Sequence, residues 1–301
     1  MPAGTKAITR RIKSVTNTKK ITKAMEMVSV AKMRRATDSV LATRPYSNLA
    51  WQIIGNISKS KNKIAHPLLE KRSGQGKIMV ILITSDKGLC GSFNSQMFRE
   101  IKKFVLDNSD NNKIDFVVAG KRGELFALRE KMNITATFED LLNKTKFTDI
   151  KPVAKLAMNK FVDKTYDKVY VAYTDYISTL NQKARVRQLL PIIQDDNLGD
   201  IGKKDETPEQ TEAQKSLDYI FEPQKKELLE MLLPKIVETQ IFQAILESVA
   251  SEHSARMVAM KNATDAANEM VDDLTLTFNK LRQAGITREI SEISAGKAAL
   301  E

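Results

Sequence analysis

Cysteine, histidine and tryptophan are nearly missing from this 301-residue chain, with one Cys (Cys90), two His (His66 and His253) and one Trp (Trp51). A single thiol excludes an internal disulfide and fits a reducing compartment. Two histidines and one cysteine are too few for a zinc site of the usual ligand set. No apolar run approaches the eighteen or so residues that a membrane-spanning helix needs. The beginning, Met1-Pro2-Ala3-Gly4-Thr5, has no apolar signal region and reads as mature from the start. The most informative absence is local: from Lys235 to Ala284 there is neither proline nor glycine.

In that stretch Leu246, Val249, His253, Arg256, Met260, Ala263, Ala267, Met270, Leu274, Phe278 and Leu281 step by three or four. Sustained three-four alternation predicts a coiled-coil seam. As one helix it would be roughly 75 Å long at 1.5 Å per residue, too long for a compact globule to cover, so it needs a partner along its length. Pro234 predicts a bend at its lower end. The middle of the seam is rich in Ala and Met, which allows close approach. His253 and Arg256 interrupt it; a lone His on such a stripe is an interior residue rather than a ligand.

A second helical stretch, Thr5 to Arg44, also lacks Gly and Pro. Its stripe is Ile8, Ile12, Val15, Ile21, Met25, Val28, Ala36 and Val40, and the helix resumes after Pro45 through Ile57. Residues 1–44 carry eleven Lys and Arg against Glu26 and Asp38, so +9 of the chain's +11 sits there. That charge implies an acidic partner surface, nucleic acid or anionic lipid.

Between the two helical segments the pattern changes. Lys59 to Gly76 reads as loop. Ile78–Thr84 is a continuous apolar run of strand length, the mark of a strand covered on both faces. Strands are also expected at 115–119, at 169–173 and, antiparallel at an edge, at 184–193, with helices near 94–106, 121–131 and 149–163. Alternation of this kind predicts an α/β layer with a mostly parallel sheet. Residues 194–216 read as a polar linker. The expected divisions are therefore an N-terminal coiled-coil helix over 1–58, an α/β domain over 77–193, the linker, and a C-terminal coiled-coil helix over 217–301. The two long helices would pair antiparallel around the insert.

The glycines of the insert do not make a nucleotide site. Gly74-Gln75-Gly76-Lys77 lacks P-loop spacing, and Gly88-Leu89-Cys90-Gly91-Ser92 does not fit G-x-G-x-x-G, although it follows a strand and precedes a helix. A tight turn is the better reading of it. Cys90 near a helix start has no histidine in its segment to form a dyad.

Four blocks carry a family resemblance. Thr16-Asn17-Thr18-Lys19-Lys20-Ile21-Thr22-Lys23-Ala24-Met25-Glu26-Met27-Val28 resembles the signature of the γ subunit of F-type (F1Fo) ATP synthase. So do Ser85-Asp86-Lys87-Gly88-Leu89-Cys90-Gly91, the block from Ser251 to Thr264, and the block from Asn279 to Ile290. The resemblance runs from about Thr5 to Ala298. It implies an antiparallel two-helix shaft with an inserted Rossmann-like α/β foot, a non-catalytic subunit without a cofactor, and one copy per complex. The implied partners are a hexamer of three α and three β subunits, the ε subunit and the membrane c-ring, with no nucleic acid. The shaft would carry torque between the ring and the catalytic β subunits during ATP synthesis driven by hydrogen ion transport. By the same resemblance Lys20, Met25, Arg256, Gln283 and Thr287 are expected to contact β, and Tyr219 and Glu222 the c-ring. The linker lacks the chloroplast form's cysteine pair and no transit peptide precedes the first helix, so a bacterial protein, peripheral on the cytoplasmic face of the cell inner membrane, is expected. Two readings compete with the shaft: a basic coiled-coil binder of nucleic acid, and a small nucleotide-dependent enzyme in the insert.

Overall fold

The run Ile78-Met79-Val80-Ile81-Leu82-Ile83 forms β1, and its six side chains are all buried because alternate residues enter two different cores. The computed structural model describes residues 3–59, 66–70, 72, 76–108, 113–143, 146–192 and 225–298. After β1 come α2 (Phe93–Asn108), β2 (Ile114–Ala119), α3 (Lys121–Arg129), β3 (Asn133–Phe138), α4 (Lys151–Val162), β4 (Lys168–Tyr176) and β5 (Gln182–Leu190). Two long helices flank them, α1 (Ala3–Lys59) and α5 (Lys225–Ala298). The expected linker lies outside the described residues.

The chain divides inside both long helices, into one compact unit of Ala31–Ala255 and another formed by Met1–Val30 with Arg256–Glu301. In the first, the strand order is β3-β2-β1-β4-β5. The first four strands are parallel and β5 runs antiparallel at the edge. Ile78, Val80 and Leu82 face Met97 and Ile101 of α2 and Phe126 of α3. Met79, Ile81 and Ile83 face Val153, Ala157 and Phe161 of α4, together with Ile236, Ile241, Ile245 and Val249 of α5. Covering both faces is what lets a parallel sheet read as an uninterrupted apolar run.

Strand β3 was not legible in the sequence, because its alternation is only half-buried and its outward residues are Asn133, Thr135 and Thr137. The turn from β2 into α3 depends on Gly120, whose φ of +103° suits glycine. A Cβ there would overlap the carbonyl oxygen of Thr84. Every residue of α5 from Ile236 to Ser254 is buried, polar ones included. Both prolines expected to disturb the long helices, Pro45 and Pro234, lie inside continuous helix.

In the second unit the two helices pair with one another, and the pairing corrects the stripe. Ile21 and Val28 are 60% and 56% exposed, whereas Thr22 and Ser29 are 9% and 2% exposed. The inward series on α1 is Thr5, Ile8, Ile12, Val15, Lys19, Thr22 and Ser29, which keeps three-four phase from the first isoleucine onward. Taking Ile21 and Val28 as inward is an error of one residue, or about 100° of helix rotation. The hydroxyls are tolerated inside because each bonds a carbonyl of its own helix, Thr22 to Lys19 at 3.0 Å and Ser29 to Met25 at 2.7 Å. On α5 the same correction replaces Met270, 45% exposed, by half-buried Val271, and Leu281 is 42% exposed. Met260, Thr264 and Ala267 are buried, and Leu274 and Phe278 partly so. Thr22 Oγ1 and Thr264 Oγ1 meet at 2.7 Å across the seam.

Candidate functional site

The five helical residues singled out by resemblance all fall in the unit of paired helices. Lys20, Gln283 and Thr287 are exposed, Met25 is half-buried, and Arg256 is only 7% exposed. Gln283 and Thr287 are one turn apart on one face of α5. Arg256 lies 27 residues before Gln283 on the same helix, about 40 Å away at 1.5 Å per residue. These residues therefore mark separate patches along a helix pair, not one pocket. Tyr219 and Glu222 lie outside the described residues.

The turn between β1 and α2 is folded on itself. Ser85 N donates to Asn94 Oδ1 at 3.2 Å, Asn94 Nδ2 donates to Ser85 Oγ at 2.7 Å, and Ser85 Oγ donates to Lys87 O at 2.8 Å. Leu89 and Gly91 take left-handed backbone (φ +62° and +55°) to close it. The asparagine side chain thus ties the start of α2 to the end of β1. Cys90 is buried, its Sγ 3.3 Å from Asn94 Nδ2. A thiol packed in this way and bonded to an amide serves the turn's structure rather than acting as a thiolate nucleophile.

Where the foot meets α5, contacts are polar as well as apolar. Asp175, nearly enclosed, pairs with Arg185 at 2.9 Å. Tyr173 is 1% exposed; burial first, and then the charge of Glu247, drive its hydroxyl far above the ordinary tyrosine range. It stays neutral. Three buried serines of α5, Ser248, Ser251 and Ser254, bond to the β4 strand and the turn after it. Sequence reasoning missed these and the Thr22–Thr264 pair. The Ser-x-x-Ser-x-x-Ser spacing was the available signal, since it places the hydroxyls along one helix face.

A family model described as ATP synthase matches residues 4–300. The ATP synthase gamma chain of Roseiflexus castenholzii is 42% identical over 302 residues, covering 100% of this chain and 99% of the relative. That of Coxiella burnetii (strain Dugway 5J108-111) is 40% identical over 299 residues, with 98% of each chain covered. The chain belongs to the ATP synthase gamma family. Membership makes it a non-catalytic subunit and the rotor shaft of an ATP synthase, a membrane-associated complex. Among the described residues no helix is long and apolar enough to cross a membrane. Two solved structures share its fold at 18% identity. One is a chain of the Euglena gracilis mitochondrial ATP synthase rotor in rotational state 1, with a TM-score of 0.61 over 94% of this chain and 99% of that one. The other is from the OSCP/F1/c-ring structure of the same synthase in rotational state 3, with a TM-score of 0.64 over 99% and 94%.

Proposed function

We propose that the paired helices turn inside a hexamer of three α and three β subunits while the α/β foot rides on the c-ring beside ε. In this reading the shaft passes torque between ion flow and the catalytic β sites, one copy per complex, at the cytoplasmic face of a bacterial inner membrane. The functional division follows the segments 1–58, 77–193, 194–216 and 217–301. The observation that carries the reading is α5, a 74-residue helix unbroken at Pro234 and Gly285. A ladder of main-chain hydrogen bonds, interrupted at Pro234, which has no N–H, resists twisting along the helix, and small side chains at Ser29, Thr264 and Ala267 let α1 lie close beside it. The stator-facing contacts we assign are Lys20, Met25, Gln283 and Thr287. Arg256 joins them only through the small part of it left open. Tyr219 and Glu222 are assigned to the c-ring. The basic face of α1 suits acidic partner segments, whose attraction needs no deep pocket.

Reconstitution tests it. The chain mixed with α and β subunits should give complexes that hydrolyse ATP and turn a probe fixed to the foot in one direction. A full-rate, unidirectional motor formed by α and β without this chain would sink the proposal.

A further inference from the structure

In a sheet of order β3-β2-β1-β4-β5 the winding reverses between β1 and β4. Doubly wound sheets bind their ligands outside the carboxyl ends of the strands at that point. Here β1 pairs with β4 only from Ile78↔Lys168 to Leu82↔Ala172, while β4 continues to Tyr176. Past the last pair, both main-chain groups of Thr174 are taken up by α5. Its N–H donates to Ser248 Oγ at 3.2 Å, and its carbonyl accepts from Ser251 Oγ at 3.2 Å. One turn further, Ser254 Oγ donates to Thr179 O at 2.6 Å and accepts from Gln182 Nε2 at 3.4 Å. All three serines are fully buried.

We infer that Ser248, Ser251 and Ser254 are positioning residues that occupy the sheet's ligand crevice and fix the rotational angle of α5 against the foot. The inference rests on the shaft reading and adds to it where torque enters the helix. The apolar contacts around them, Ile241, Ile245 and Val249 against the sheet, are non-directional. They hold the helix down without choosing its angle. Hydrogen bonds weaken steeply when turned off line, so the serine bonds do choose it. Turning α5 by one residue swings all three hydroxyls away from β4 and leaves the buried Thr174 N–H and C=O unmatched. A bound nucleotide could not replace this tie, because the crevice is already filled by the chain itself.

The test uses complexes of this chain with α and β. One carries S248A/S251A/S254A; the control carries Ile245→Val, which trims the same contact without touching a hydrogen bond. With hydrolysis arrested, the angular fluctuation of a bead on the foot is recorded. With the rotor unloaded, ATP hydrolysis is measured. The triple variant should keep unloaded hydrolysis within about twofold of wild type, while its mean-square fluctuation rises about twofold, because the directional bonds are gone. The Ile245→Val complex should fluctuate like wild type. Equal fluctuation in the triple variant and wild type, or an equal rise in Ile245→Val, would overturn the inference while leaving the shaft reading intact. A wild-type complex that does not turn would overturn both. Should the triple variant fail to assemble, Ser248→Ala alone in the full chain decides: exchange of the Thr174 amide hydrogen should quicken about fivefold. An unchanged rate would refute the tie.

Discussion

Replacing Thr22 and Thr264 with valine, singly and together, tests whether the helix pair is registered by a polar contact. Three short contacts converge there: the hydroxyls meet at 2.7 Å, Thr22 Oγ1 lies 3.0 Å from Lys19 O, and Thr264 Oγ1 lies 2.8 Å from Met260 O. Two hydroxyls carry only two protons, so at any moment one donates across the seam and the other to its own helix. Valine at Thr22 has the same shape and removes the cross-seam bond, but Thr264 can still donate to Met260 O. The loss should be about 1 kcal/mol, the net worth of one buried hydrogen bond. Thr264→Val removes the same bond and should cost about the same. The double variant also loses the remaining own-helix bond, but it leaves no buried hydroxyl without its cross-seam partner and brings two methyl groups together, so it should be no worse than either single. The coupling is then about 1 kcal/mol, well above the few tenths expected of independent sites. Hydrogen exchange of amides in residues 18–26 and 260–268 of the full chain reads the local opening of this unit. Each single variant should exchange about fivefold faster than wild type and the double no faster than that. Costs that simply add would refute the shared bond and, with it, the corrected seam.

Gly120→Ala forces a Cβ onto the Thr84 carbonyl at a φ of +103°; the strain and clash together should cost at least about 3 kcal/mol. Denaturant unfolding that moves by less than about 1 kcal/mol would show that the ends of β1 and β2 can separate freely. His66 Nδ1 accepts from Leu68 N at 3.1 Å, and burial, partly opposed by Glu230, lowers its pKa from the ordinary 6.5. The unfolded chain thus takes up the proton first, so this contribution is present above about pH 6.5 and is lost as pH falls through the lowered folded value. Protection of the Leu68 amide, its exchange measured against the intrinsic rate at each pH, should fall on acidification in wild type but not in His66→Asn, and an equal pH response in both would exclude the histidine as the cause. In assembled complexes Lys20→Ala should slow rotation by no more than about fivefold, the upper limit for an exposed ion pair, and the difference should fade as salt rises. A larger, salt-independent loss would mean that Lys20 is not a surface contact. Gln283→Ala with Thr287→Ala should weaken loaded rotation while leaving the exchange pattern of residues 225–254 unchanged, since these side chains are exposed; altered exchange there would reassign them to folding.

Local chemistry was enough for most of the architecture. The run Ile78–Ile83 could only be a strand covered on both faces, and fifty residues without Gly or Pro could only be a long helix in need of a partner. The Ser85–Gly91 turn was also readable, because its glycines do not fit a phosphate loop. The four motif blocks already pointed to the family, since they match in order along nearly the whole chain.

Facing and partnership were another matter. Three-four stepping admits two neighbouring phases on α1. Apolar preference chose Ile21 and Val28, but the real seam takes Thr22 and Ser29, because a small hydroxyl that bonds its own helix occupies less space between two close backbones. Residues 236–254 of α5 look amphipathic in sequence, with Glu238, Gln240, Gln243, Glu247 and Glu252 among them, yet all are buried. No periodicity reveals that a stretch of helix is buried on every side. The serines at 248, 251 and 254 are ordinary helix residues until β4 outruns β1 and offers them an unpaired strand edge. By itself the sequence determined which segments are helix and strand and which family they serve, since those follow from local spacing and composition. Only the tertiary structure decided which side chains meet, because that depends on where other segments leave a polar group or a space unfilled.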